Sequence, residues 1–184
     1  LEVVLPTDNP NLLFTTEFAE LMGKFQGAWA SLELVTDVAI CRFLKVTAKE
    51  THLITAGMTF GRKAQLLAGL VARSEHPKKS EILDAFNKIR GTSKRDTFAH
   101  SYIKSDADTV TFLDRAGGGE FHAKEHTFTL EQFRQHVTDF TQAGGRLYLA
   151  LGLTDRECNE FANAALSLNR KSATSPEAPS DSAS

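Results

Sequence analysis

The amino-acid sequence predicts an all-α protein, a helical bundle with one inserted β-hairpin. Three observations carry that prediction. Apolar residues recur at three- and four-residue spacing along most of the chain. A Thr-x-x-Glu/Gln capping pattern stands at Thr47, Thr129 and Thr154. Only between about residues 108 and 128 does the period change to two, around Gly117, Gly118 and Gly119.

The 184 residues are enough for one domain with its own core. Residues 1–14, with Pro6, Asn9 and Pro10, read as an extended lead-in. A long helix follows from about Thr16 to Leu44, because Phe18, Leu21, Phe25, Trp29, Leu32, Thr36, Ala39, Ile40 and Phe43 form one apolar stripe. Gly23 and Gly27 lie inside it and cost helix stability, which predicts a notch where another helix packs closely. A short helix starts after Thr47 and ends near Gly57. The next starts after Thr59 with Ala64, Leu67 and Val71 inward, and stops before the Ser74 to Pro77 loop. Ser80 precedes a helix with Ile82, Leu83, Phe86 and Ile89 on its face, and Gly91-Thr92-Ser93 breaks it. Lys94 to Ser101 then form a short helix of their own.

Beyond Asp106, Val110 and Phe112, then Phe121 and Ala123, alternate with polar neighbours as the two arms of a hairpin. Thr129 caps a helix carrying Phe133, Val137, Phe140, Leu147 and Leu151, with a kink expected at Gly144-Gly145, and Thr154 caps a last helix to about Leu168. The helical domain thus spans 15–169. Residues 170–184, rich in Ser, Ala and Pro, read as a disordered tail.

Composition narrows the function classes. A net charge of -2 argues against holding nucleic acid by bulk charge alone. Between Lys78 and Lys104, however, seven basic residues face three acidic ones. Cys41 and Cys158 sit in apolar helical patterns without ligand-like spacing, as buried thiols of a reducing compartment do. The longest apolar run, Leu147 to Leu151, is far too short for a membrane span, so no membrane partner and a cytoplasmic location are expected. The chain opens on Leu1 rather than Met, which suggests a fragment.

Two constellations carry chemistry. His122-Ala123-Lys124-Glu125-His126 spells a zinc-peptidase pattern, H-x-x-E-H, that needs a helix. On the expected strand its imidazoles stand about 13 Å apart, beyond the reach of one metal ion. His52, His76 and His136 stand alone. The second constellation is Lys94-Arg95-Asp96-Thr97-Phe98-Ala99-His100-Ser101. Asp96 and His100 are four apart, so the carboxylate can hold one ring nitrogen and leave the other as a base. Arg95 and His100 are about 140° apart around a helix. They converge through helix irregularity, through the reach of the arginine, or through a second copy of the chain across a two-fold axis. A neutral imidazole and a guanidinium together suit phosphodiester cleavage: a base takes the proton of an RNA 2′-hydroxyl, and a cation stabilises charge on phosphorus. That chemistry needs no metal and no cofactor. The plain alternative is a surface Asp-His pair beside a structural arginine.

Arg95-Asp96-Thr97-Phe98-Ala99-His100 resembles the R-x4-6-H signature of the HEPN superfamily, with Asp96 where asparagine is more usual. The helical order from Thr16 to Leu168 is similar as a pattern of helices. The resemblance implies a HEPN-like bundle that forms a homodimer and acts as a metal-independent endoribonuclease in toxin-antitoxin, defence or RNA-processing systems. It makes Arg95 the phosphate-stabilising residue, His100 the base or acid, and Asp96 the residue that orients them. Lys88, Arg90 and Lys94, with Ser101 and Tyr102 just beyond, are then the expected RNA contacts, and an antitoxin-like protein is an expected partner. Other members are inactive, so a non-catalytic module binding a protein or nucleic acid is the second reading, favoured by the acidic composition and by Asp96.

Overall fold

The structure, a computed structural model, describes residues 15–105, 108–117 and 121–168. The lead-in and the tail expected from the sequence lie outside these residues. Among the described residues, seven helices and three strands run in the order α1 (Thr16–Leu44), α2 (Ala48–Thr55), α3 (Phe60–Arg73), α4 (Lys79–Thr92), α5 (Arg95–His100), β1 (Tyr102–Ser105), β2 (Thr109–Gly117), β3 (Phe121–Thr129), α6 (Leu130–Leu151) and α7 (Asp155–Leu168).

The helices begin where capping chemistry places them. Thr15 Oγ1 accepts from Phe18 N–H at 3.2 Å, and Thr47 and Thr129 each close a reciprocal capping box with Glu50 and Gln132. Thr154 and Glu157 do the same at the start of α7. Thr59 precedes α3 with no side-chain cap, and α4 starts at Lys79, so Ser80, expected to precede the helix, lies inside its first turn.

α1 is the axle of the bundle. Its buried stripe from Phe18 to Ile40 packs on α3 and α6, while α4 packs on α3 and α6, and α7 on α1 and α2. Lys63 Nζ reaches Asp37 Oδ2 at 2.7 Å where α3 meets α1. Arg42 donates to Leu151 O at 2.8 Å and pairs with Glu157, tying α1 to the end of α6 and the start of α7.

Three sequence expectations need correction. The β element is a three-stranded antiparallel sheet in the order β1-β2-β3, not a lone hairpin. β1 is only four residues long, Tyr-Ile-Lys-Ser, too short to display an alternation. The core phase of β3 is also different from the expected one. Phe128 and His126 stand opposite Val110 and Phe112, whereas Ala123 is exposed. The base of the hairpin meets the bundle, so the inward residues lie at its end nearest α6. Lastly, a Cβ at Gly23 or Gly27 would meet nothing within 4 Å, so these glycines make no helix-contact notch. α6 runs as one helix through Gly144 and Gly145.

The sheet, α1, α5 and α6 share one aromatic core. Phe98 of α5 meets the rings of Phe25, Phe112, Phe128, Phe133 and His136 at 4.7 to 5.8 Å between centroids. Phe98→Ala should therefore lower unfolding free energy by about 3–5 kcal/mol in denaturant melts. Gly23→Ala and Gly27→Ala should each raise it by about 0.5–1 kcal/mol, because both sites are helical, exposed and open. A destabilised Gly27→Ala would mean that another surface packs there.

Candidate functional site

α5 is six residues long and hangs between two fixed points. Phe98, its buried residue, enters the aromatic core, and Ser101 N–H closes its end on Thr97 O at 3.2 Å. At its start Lys94 takes a left-handed backbone (φ 35°), which turns the chain out of α4 and into α5. A non-glycine residue holds that conformation only where its surroundings fix it. Here the Lys94 Nζ lies 5.0 Å from the Phe128 ring centroid, a cation over an aromatic face.

The next residue, Arg95, is half-buried, with its guanidinium carbon 5.4 Å from the ring of Trp29 on α1. It lines a groove of about 730 Å³ between α1, the start of α3 and the α4–α5 turn. Three cationic residues contribute to its lining: Arg90, Lys94 and Arg95. Ser93, Thr59 and Thr97 add hydroxyls, and Phe60 stands against Trp29 with centroids 4.7 Å apart. Among the described lining residues Glu33 is the one carboxylate, and its Oε1 accepts from Trp29 Nε1 at 3.0 Å. Cationic, hydroxyl and aromatic groups on one concave surface suit an anionic ligand with a planar part.

The predicted residues separate around this groove. Arg95, Lys94 and Arg90 line it, whereas His100 is exposed at the far end of α5 and is not part of its wall. Asp96 belongs to α5, and its side chain lies outside the described set. Lys88, two residues from Arg90 and so on the other side of α4, lines a different groove with Lys78, Arg146 and three carboxylates. The Ser101 hydroxyl is shielded from solvent without a hydrogen-bond partner, and Tyr102 is 58% exposed on β1. The H-x-x-E-H segment lies within β3, as its alternation predicts. Among the described residues, no three His, Cys, Asp or Glu side chains gather closely enough to hold a metal ion. Nor is any described helix long and apolar enough to cross a membrane.

Sequence reasoning passed over His136. His52 and His76 are satisfied, the first at 2.9 Å from Phe161 O and the second accepting from Lys78 N–H at 3.2 Å. His136 of α6 instead lies against Phe25, Phe98 and Phe128, and its buried Nε2 has no partner. Its position three after Phe133 and four before Phe140 puts it beside the buried stripe of α6, a signal present in the sequence. Trp29 and Glu33, four apart on α1, were equally legible as a pair.

No protein family, curated protein or solved structure matches the chain. The site therefore stands on its own geometry.

Burial first, then the neighbouring Lys94, holds the His136 imidazole below its ordinary 6.5, while Asp139 pulls the other way. The unfolded chain then binds the proton more readily than the folded one. Stability from this group is complete above about pH 6.5 and falls as pH drops below that value toward the folded pKa. The melting temperature of the protein should decline as the pH falls below about 6.5, and His136→Phe should flatten that decline. Parallel curves for the two proteins would show that His136 titrates normally in the fold.

Proposed function

We propose that the protein is a metal-independent endoribonuclease of the HEPN type, acting as a homodimer. In this reading the groove at Arg95 holds a phosphate of single-stranded RNA. Arg95 stabilises the charge that develops on phosphorus, and His100 moves the proton of the 2′-hydroxyl. The 2′-oxygen attacks phosphorus, the bond to the 5′-oxygen breaks, and a 2′,3′-cyclic phosphate and a 5′-hydroxyl end are left. The observation that supports it is the convergence of Arg90, Lys94 and Arg95 on one groove, on the same short segment that exposes His100. A positive groove on a protein of net charge -2 concentrates an anionic substrate at one place.

His100 is not among the residues that line the groove, so in this reading the histidine that serves its phosphate comes from elsewhere. A second copy of the chain supplies the missing histidine across a two-fold axis. The same fact favours a second reading, a non-catalytic module that binds RNA or a protein through the Arg95 groove alone. An antitoxin-like protein covering the groove belongs to either reading.

Incubation of the purified protein with mixed single-stranded RNA in EDTA separates the two. Cleavage to cyclic-phosphate ends, reduced at least about 100-fold in both Arg95→Ala and His100→Ala, is the expected result. Light scattering should give a dimer. RNA that is bound but uncut leaves the binding module, and cleavage indifferent to both substitutions contradicts the roles assigned to these residues.

A further inference from the structure

The Arg95 groove holds more than a phosphate needs. Three cationic residues line it, and a carboxylate, Glu33, stands with them on its α1 wall. Its carboxylate is half-buried and is held in place by the indole of Trp29, which donates to Oε1 at 3.0 Å. A carboxylate beside guanidinium groups repels phosphate, so it weakens a site built for phosphate alone. It gains a role if the ligand brings hydrogen-bond donors as well as negative charge. Phe60, half-buried and edge-on to Trp29, adds an apolar wall on the same groove. Single-stranded RNA is read in this way, by stacking an unpaired base on an aromatic side chain and hydrogen-bonding its Watson–Crick edge.

Among the four bases, guanine alone presents two adjacent donors on that edge, N1–H and the N2 amino group. They match the two oxygens of one carboxylate. Adenine and cytosine each place an amino donor next to a ring nitrogen acceptor, and uracil places N3–H between two carbonyl acceptors. An acceptor facing the carboxylate is a repulsive contact, so discrimination comes from rejection as well as attraction. The volume of about 730 Å³ is within the range of pockets that take a ligand of nucleotide size.

We propose that the groove is a guanine-nucleotide subsite for the RNA, with Glu33 reading the base edge, Phe60 stacking on the base, and Arg90, Lys94 and Arg95 holding its phosphate. This rests on the RNA reading above and deepens it, since it assigns a base preference to the same site. Glu33 is a specificity residue and touches no reacting atom.

Trp29 is the sole tryptophan of the chain and forms part of the groove, so its fluorescence reports occupancy directly. The test is titration of the full chain with the four nucleoside 5′-monophosphates, in EDTA at neutral pH. Guanosine monophosphate should change the Trp29 emission and bind at least about tenfold tighter than the other three, the discrimination of one bidentate base contact. Glu33→Gln keeps an acceptor for the Trp29 indole but puts a donor where guanine has donors. It should reduce the preference to less than about threefold, weakening guanosine monophosphate while the other three nucleotides bind no more weakly than before. Arg90→Ala should weaken all four nucleotides together. Equal affinity for the four bases, a guanine preference that survives Glu33→Gln, or no nucleotide binding overturns the subsite. If RNA is nevertheless cleaved at the Arg95 site, the subsite alone has failed. Guanine binding that depends on Glu33 in a protein that cuts no RNA supports the subsite and removes the nuclease.

Discussion

A helix of six residues does not hold its shape in water by itself, because the nucleation cost exceeds what so few hydrogen bonds return. α5 persists because Phe98 is seated among Phe25 of α1, Phe112 and Phe128 of the sheet, and Phe133 and His136 of α6. One side chain thus joins three layers of the molecule. Everything assigned to the site depends on that seat. Lys94 and Arg95 precede Phe98 by less than a turn and a half, so fixing Phe98 fixes the direction in which they leave the chain. Each then lies over an aromatic ring of the core, Phe128 for Lys94 and Trp29 for Arg95. The site is positioned by core packing more than by its own polar contacts.

The same packing sets the electrostatics. Lys94 and His136 approach one another beside the aromatic cluster, and burial first, then the Lys94 charge, holds the imidazole pKa below its ordinary value. Arg90, Lys94 and Arg95 meanwhile face one groove, and Glu33 is held among them by Trp29.

Much of the fold was legible because helix signals are local. The bounds of α1 follow from an apolar stripe that keeps one phase for 29 residues, and three Thr caps marked α2, α6 and α7 to the residue. What escaped was decided by contacts distant in sequence. β1 has four residues and is a strand only because β2 pairs with it through Tyr102 to Leu113 and Ser105 to Val110. The β3 phase was misread because Ala123 and Phe128 both look apolar, and only the approach of α6 selects Phe128. At the site, the short α5 and the outward course of Lys94 and Arg95 could be anticipated from helical geometry. That Arg90 joins them while Lys88 leaves for another groove follows from their separation of two residues on α4. That Trp29, Glu33 and Phe60 complete the groove could not, because it depends on how α1 and α3 sit against the α4–α5 turn.

The most direct measurement is where RNA touches the protein. Ultraviolet cross-linking of the full chain to single-stranded RNA, followed by mass spectrometry of the adducts, reads that contact without requiring cleavage. Adducts on Phe60 and on the segment from Arg90 to His100 are the result expected if the α5 groove is the ligand site. Adducts confined to the α4–α6 face around Lys78, Lys88 and Arg146, or none at all, would contradict it.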